Sequence, residues 1–326
     1  LLAPMSASAN EVTINDFNAA EEIAVTNSRV DGLEARFNDL EAGSFSETTT
    51  ASFGVDFLVG AVDGASNEKT TFDYQMGIGL ETSFTGEDSL SATIDIGDTG
   101  SVVGGSDGLN FDATSNKLML DGLTYTFPLG GATVLVGDST DISAVYTGAC
   151  AYNAFTDYMG NCGTGSSVGI GNKGVTAAMS YAFDSGFSLA GGISSTPTGI
   201  ATKENDDAFG IEAAYTADSW GIAVAYSDIE DTDSETAATT ATFWGVNGTY
   251  AFDFATLSVG FESESPASGS DATGYFAGLS FPEVGAGTFD IGMGTTGNFA
   301  DGATEYFMYE ASYAYPVNDG MTITPG

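Results

Sequence analysis

Val175–Ile193, VTAAMSYAFDSGFSLAGGI, is the stretch that decides the fold. Val175, Ala177, Met179, Tyr181 and Phe183 are apolar, while Thr176, Ala178, Ser180 and Ala182 between them are small or polar. A period of two gives an extended strand one apolar face and one that is not. Asp184-Ser185-Gly186 then reverses the chain, with glycine supplying the backbone angle of a tight hairpin. Phe187, Leu189 and Ile193 resume the alternation. Aromatics stand next to the turn and aliphatics further away, as in a membrane-crossing strand with an aromatic girdle at the headgroups.

The same alternation recurs along the chain. Phe53, Val55, Phe57 and Val59 alternate with Gly54, Asp56 and Gly60; Phe72, Tyr74, Met76, Ile78 and Leu80 alternate with Asp73, Gln75, Gly77 and Gly79. Further runs start near Leu90, Lys117 and Ala132, and then pair as Phe209–Tyr215 with Trp220–Tyr226, Trp244–Phe252 with Ala255–Phe261, Tyr275–Phe281 with Phe289–Met293, and Phe307–Tyr315 with Met321 onward. Fifteen strands are legible, the last cut short.

Their connections alternate between two kinds. One set is short and follows an aromatic, as at Phe84, Phe127, Phe183, Tyr215, Phe252, Phe281 and Tyr315. The other is longer, polar and acidic: 62–70, 97–116, 137–173, 194–207, 227–241, 262–272 and 294–304. A sandwich has no reason to sort its loops this way, whereas a transmembrane barrel does. The expected fold is therefore an all-β transmembrane antiparallel β-barrel of about sixteen strands over 47–326, its last strand missing from the fragment. A barrel of that size holds an aqueous channel rather than a packed core.

Composition agrees. The chain has a formal charge of -39 and no His. Its six basic residues, Arg29, Arg36, Lys69, Lys117, Lys173 and Lys203, are scattered singly, which excludes a nucleic-acid footprint. No apolar run is long enough for a transmembrane helix. Nucleophile elbows and phosphate-binding glycine loops are missing, so no catalysis is expected. With no His and two Cys, neither is a zinc or haem cofactor.

In a membrane barrel the apolar face meets lipid and the polar face lines the lumen. That reading turns Asp56, Asp73, Gln75, Glu81, Asp95, Glu212, Glu262, Asp290 and Glu310 inward. Loop 137–173 is the longest and holds Asp138, Asp141, Tyr146, Cys150, Tyr152, Phe155, Asp157, Tyr158 and Cys162, with Lys173 at its end. A disulfide between Cys150 and Cys162 is expected in an exported protein. Folded inward, this loop narrows the pore; the plainer reading is a surface lid or a site for another molecule. The acidic run Asp228–Glu235 reads as a solvated loop tip, with a weak calcium site as the alternative.

Residues 1–9, LLAPMSASA, read as the remnant of an export signal with cleavage after Ala9, and 10–20 as a linker. Ile23, Val30 and Phe37 are spaced by heptads, Leu33 and Leu40 take the second heptad position, and Gly43 follows. The segment 21–43 is expected to be a short coiled-coil helix; the alternative is an amphipathic helix packed on the main domain.

At Ser28–Ser46, SRVDGLEARFNDLEAGSFS, the chain resembles the junction of cyanobacterial outer-membrane porins, the major outer-membrane proteins related to the carbohydrate-selective porin family. The matching residues are Val30-Asp31-Gly32-Leu33-Glu34-Ala35-Arg36, then Leu40-Glu41-Ala42, then Phe45-Ser46-Glu47-Thr48-Thr49-Thr50; Ile323-Thr324-Pro325-Gly326 resembles the start of the family's penultimate strand. The resemblance implies a homotrimeric diffusion porin in outer-membrane lipid, with its coiled coil in the periplasm. A surface-layer-homology domain usually precedes the coiled coil in that family, and residues 10–20 do not supply one. The expected function is passive diffusion of inorganic ions and small hydrophilic solutes through an acidic channel. The alternatives are a carbohydrate-selective porin, a structural or receptor envelope protein with a plugged barrel, and a soluble β-sandwich binder.

Overall fold

Strand Asp207–Thr216 shows the rule by which the sheet is built. Ala208, Gly210, Glu212 and Ala214 are buried, while Phe209 and Ile211 are each 45% exposed. The polarity is the reverse of a water-soluble sheet, in which exposing such residues forfeits about 25 cal/mol per Å². An apolar-out, polar-in alternation is stable where the solvent outside is hydrocarbon.

The computed structural model describes Arg29, which is helical, and residues 49–326 apart from 62, 64–69, 99–110, 112–113, 169–173, 198–206 and 232–238. The expected signal remnant, linker and coiled-coil positions Ile23, Val30, Leu33, Phe37 and Leu40 lie outside the described residues, as does Lys173. Residues from Ala51 onward form one compact unit.

Sixteen strands make up the described sheet: β1 (Thr49–Ala61), β2 (Thr70–Thr82), β3 (Ser89–Gly97), β4 (Met119–Leu129), β5 (Ala132–Thr140), β6 (Gly174–Ala182), β7 (Phe187–Ser195), β8 (Asp207–Thr216), β9 (Trp220–Asp231), β10 (Thr239–Ala251), β11 (Thr256–Ser265), β12 (Ala272–Val284), β13 (Gly287–Thr295), β14 (Phe299–Ala300), β15 (Phe307–Asn318) and β16 (Met321–Ile323). Each strand pairs with its sequence neighbours, except that two-residue β14 leaves the path to pair with β12. The remaining fifteen in line coincide with the fifteen legible in the sequence, and β14 sits inside what reads as a loop. The described registers are antiparallel, as in β8–β9 and β9–β10. Among the described residues no register joins β1 to β16.

One correction concerns the acidic run. Asp228, Glu230 and Asp231 belong to β9 rather than to a loop tip, because Thr242, Thr240 and Thr239 of β10 supply the ladder opposite them. Polar side chains do not stop a strand whose partner continues.

Aromatic rings mark the two rims. At the short-turn end, Phe252, Phe254, Phe281 and Phe289 form a chain of ring contacts, and Phe187–Tyr215–Trp220 form another. Tyr226–Trp244 and Tyr275–Phe307 stand at the loop end. Trp244 and Tyr250 share β10 and lie about 20 Å apart at about 3.3 Å per residue, the order of a bilayer's apolar band.

Candidate functional site: the long loop and the polar wall

The chain between β5 and β6 lies against the polar face of the sheet, called the inner face here. Asp141 starts it. Its Oδ1 accepts the Ser143 N–H at 2.7 Å and also the Ser143 hydroxyl, capping the 3-10 turn Ile142–Val145. Ile142 is fully buried and packs with Ala178 of β6 and Ala208 of β8. Small residues at those positions leave room for it.

Beyond Ile142 the backbone amides of the loop have no strand to pair with. Carboxylates and amides of the wall accept them, as buried backbone donors require. Glu212 of β8 takes the N–H of Thr147 at 2.7 Å and of Gly148 at 3.2 Å. Asn247 Oδ1 of β10 takes Ala149 N–H at 2.8 Å, and Ser258 Oγ of β11 takes Ala151 N–H at 3.2 Å. Glu310 of β15 takes Phe155 N–H at 2.9 Å, Thr156 N–H at 3.0 Å and the Thr156 hydroxyl at 2.7 Å. The chain then turns back toward β9–β11. Asn247 Nδ2 donates to Thr164 Oγ1, and Glu262 Oε2 of β11 accepts the N–H and hydroxyl of Ser167, in the short helical turn Gly165–Val168.

Two further features hold the loop. Cys150 and Cys162 form a disulfide with a Cα–Cα distance of 5.7 Å. Tyr152, Met159 and Cys162 pack with Phe276 of β12. Glycines of the wall make the approach possible. A Cβ on Gly260 would stand 1.9 Å from the Cys162 carbonyl oxygen, and one on Gly245 1.9 Å from Ser167 Oγ. Asn161 and Cys162 both adopt left-handed backbone, rare for residues with a Cβ. The disulfide and the close fit to Gly260 hold them there.

Glu212, Glu262 and Glu310 are therefore not open wall charges. Each is buried, and each is an anchor for loop backbone. Asp290 is buried on the same face, at 1% exposure. The sequence-expected residues Asp56, Asp73, Gln75 and Asp95 lie on β1–β3. Gln75 Nε2 donates to Asp56 Oδ2 at 3.0 Å, Asp95 lies beside Gly77, and Asp73 is buried.

Of the expected loop residues, Asp141, Tyr146 and Tyr152 face the wall. Tyr146 packs on the Ile142 cluster, and burial, then the Glu212 and Asp141 charges, pushes its phenol well above the usual range. Burial does the same for Tyr152, followed by Glu310 and Asp290. The side chains of Asp157 and Tyr158 lie outside the described residues. Asp138 does not belong with them. It is an exposed residue of β5 in register with Leu123, sharing the parity of Val134 and Val136 on the outer face, and its Oδ1 accepts Ser139 N–H. On the β4 side the alternation continues through Asp138, which pairs regularly with Leu123; the irregularity between Gly137 and Thr140 belongs to the pairing with β6.

Between the start of the loop and β3–β5 there is a polar cavity of 330 Å³. Thr93, Thr124, Thr140 and Ser143 line it, with the carboxylates of Asp121 and Asp141. Sequence reading missed Asp121, which sits where the β3–β4 register shifts between Thr93 and Ile94. It also missed Asn247 and Ser258. Their one signal is parity, since each alternates with outward-facing apolar residues.

No protein-family model matches this chain. It is 38% identical over 136 residues to an uncharacterized protein of Nostoc sp., a match covering 36% of this chain. The matched part spans 24% of that curated relative's length. Among solved structures, the chain is similar to the anion-selective porin of Comamonas acidovorans, with 15% identity, a TM-score of 0.61, and coverage of 83% of this chain and 85% of that one. A multiple mutant of the Rh. blastica porin gives 15% identity and a TM-score of 0.53, with 85% and 92% covered. These likenesses show the fold of an outer-membrane porin barrel.

Proposed function

We propose that this chain is an outer-membrane porin for passive diffusion of inorganic ions and small hydrophilic solutes, with a preference for cations. The observation that carries the reading is the one-sided placement of the loop. Its anchors Glu212, Asn247, Ser258, Glu262 and Glu310 lie on β8–β15. On the side of β1–β5, hydroxyls and the carboxylates of Asp56, Asp95 and Asp121 lie on the inner wall, and Asp141 of the loop lines the same cavity as Asp121. The loop constricts the channel, and these groups form the wall that solutes pass. Carboxylates confined between low-dielectric walls raise the local cation concentration. Among the described residues of the sheet and its loops, Lys117 is the single basic residue, and it is exposed just before β4.

The family resemblance at Ser28–Ser46 supports a homotrimer, with 21–43 as a periplasmic coiled coil and the short turns on the periplasmic side. A sugar-selective route is the finer alternative, since the passage is lined by hydroxyls. The test is single-channel recording in a planar bilayer under a KCl gradient. Steady conductance with a cation-selective zero-current potential is expected. A silent protein would point to a plugged envelope barrel, and a chloride-selective potential would overturn the cation preference.

A further inference from the structure

Beneath the disulfide-closed part of the loop, two carboxylates of the wall meet. Asp290 on β13 and Glu310 on β15 are diagonal neighbours on the inner face, since Asp290 pairs with Ser312 and Gly292 pairs with Glu310. Both are buried, at 1% and 8% exposure, and Ser312 between strands is 5% exposed. The Glu310 carboxylate is oriented by Phe155 N–H, Thr156 N–H and the Thr156 hydroxyl. Asp290 is different, because its Oδ1 is buried and has no hydrogen-bond partner.

A second group in the same place is also unsatisfied. Tyr152 is 8% exposed, its ring lies on Phe276 at 4.9 Å, and its hydroxyl is buried without a partner. The hydroxyl is located by Gly292: a Cβ there would stand 2.6 Å from it. Gly292 is two residues from Asp290 on the same strand face and lies opposite Glu310. The tyrosine oxygen thus stands over Gly292, with the Asp290 and Glu310 side chains at the adjacent inner-face positions of β13 and β15. A buried carboxylate without a counter-charge is unstable, and no described basic side chain reaches this face.

We propose that this spot is a structural site for a divalent, oxygen-seeking cation of the calcium class, held by Asp290, Glu310 and the Tyr152 hydroxyl. Two carboxylates match a charge of two. Calcium takes about six to eight oxygen ligands at about 2.3–2.6 Å, and serine hydroxyls and water fill the rest. The hydroxyls at hand are Ser312, in register with Asp290, and Ser280, which pairs with Asp290 from β12. The ion would tie the loop to β13 and β15 from behind, away from the passage along β3–β5. It stands independently of the channel's ion preference.

The test uses the full-length purified protein, stripped with a chelator and titrated with calcium alone, then with terbium as a calcium substitute. Wild type is expected to retain one calcium per chain and to give terbium emission sensitised by a neighbouring tyrosine, which added calcium displaces. Asp290→Asn should weaken retention by about tenfold or more, since losing a charged ligand exceeds the effect of losing an outer-shell partner. Tyr152→Phe should keep the fold and weaken terbium affinity as well as the sensitised emission, whereas loss of a tyrosine that merely neighbours the ion would lower the emission and leave the affinity unchanged. Heat-modifiable migration in gels checks that both variants fold. Wild type that retains no more calcium than Asp290→Asn would overturn the proposal and leave Asp290 as a protonated acid. Terbium affinity or emission unchanged in Tyr152→Phe would overturn it too.

Discussion

Glu262 and Ser167 are 95 residues apart in the chain and share two hydrogen bonds: the Ser167 N–H reaches Glu262 Oε2 at 2.7 Å and its hydroxyl does so at 2.8 Å. Asn298 Nδ2 donates to the other oxygen of the same carboxylate, Oε1, at 3.0 Å. One buried side chain of β11 therefore ties the return of the long loop to the wall and to the segment before β15. Charge-assisted hydrogen bonds of this kind contribute about 1.5–3 kcal/mol each when broken.

Glu262→Ala should loosen that return. We expect a barrel less stable by about 1.5–3 kcal/mol, larger and noisier single-channel conductance, and protease cleavage near Ser167. Glu262→Gln keeps an acceptor oxygen and should fall between. Conductance indistinguishable from wild type in Glu262→Ala would mean the loop does not set the pore.

Gly260→Ala places a methyl group 1.9 Å from the Cys162 carbonyl oxygen, a clash that neither backbone can relieve easily. Overpacking of this kind costs about 1–3 kcal/mol. Gly54→Ala, with nothing within 4 Å of its added Cβ, is the matched control. Thermal unfolding followed by heat-modifiable migration should separate the two.

The turn before β3 depends on one acid. Asp88 Oδ1 accepts Ser83 Oγ at 2.8 Å, Phe84 N–H at 2.9 Å and Thr85 N–H at 2.8 Å, while Oδ2 accepts the Tyr125 hydroxyl at 2.7 Å. The Tyr125 hydrogen bond, helped by the Thr85 and Ser83 donors, holds this carboxyl well below the usual carboxylate range against an opposing burial effect. Because its folded pKa is depressed, its stabilisation is present above the unfolded value of about 3.9. It is lost as pH falls through the folded value. Asp88→Asn should lower stability at neutral pH and shrink that difference progressively below about pH 4.

Asp121→Asn with Asp141→Asn removes two charges from the passage and leaves the 3-10 turn capped, since asparagine is as good a cap as aspartate. Cation preference should fall, and more at low salt, where screening extends beyond about 10 Å. Zero-current potentials at two ionic strengths measure this. No change would place the selective point elsewhere.

Topology is tested by single cysteines at Ser185, in the short turn between β6 and β7, and at Ser268, between β11 and β12. Both positions are exposed, and the native cysteines are bonded to each other. A membrane-impermeant maleimide applied to intact cells should label Ser268→Cys and spare Ser185→Cys. The opposite pattern would invert the proposed orientation.

The strand count, the antiparallel order, the apolar-out alternation and the sorting of short turns from long loops were all determined by the sequence itself. Each is a local property: parity along Val175–Phe183 is carried by side chains two residues apart, and the turn at Gly186 by one backbone angle of +88°. Only tertiary structure decided which inward carboxylates stay open to the passage. Glu212 and Asp95 read alike in the sequence, as single acids at inward positions of alternating strands. Glu212 receives the amides of Thr147 and Gly148 from a loop far away in the chain, whereas Asp95 stands beside Gly77 of the neighbouring strand. The junction of Asp290, Glu310 and Tyr152 was likewise settled by a long-range fold of the chain. Sequence periodicity reports the face a side chain takes; it carries no information about what arrives from elsewhere to cover that face.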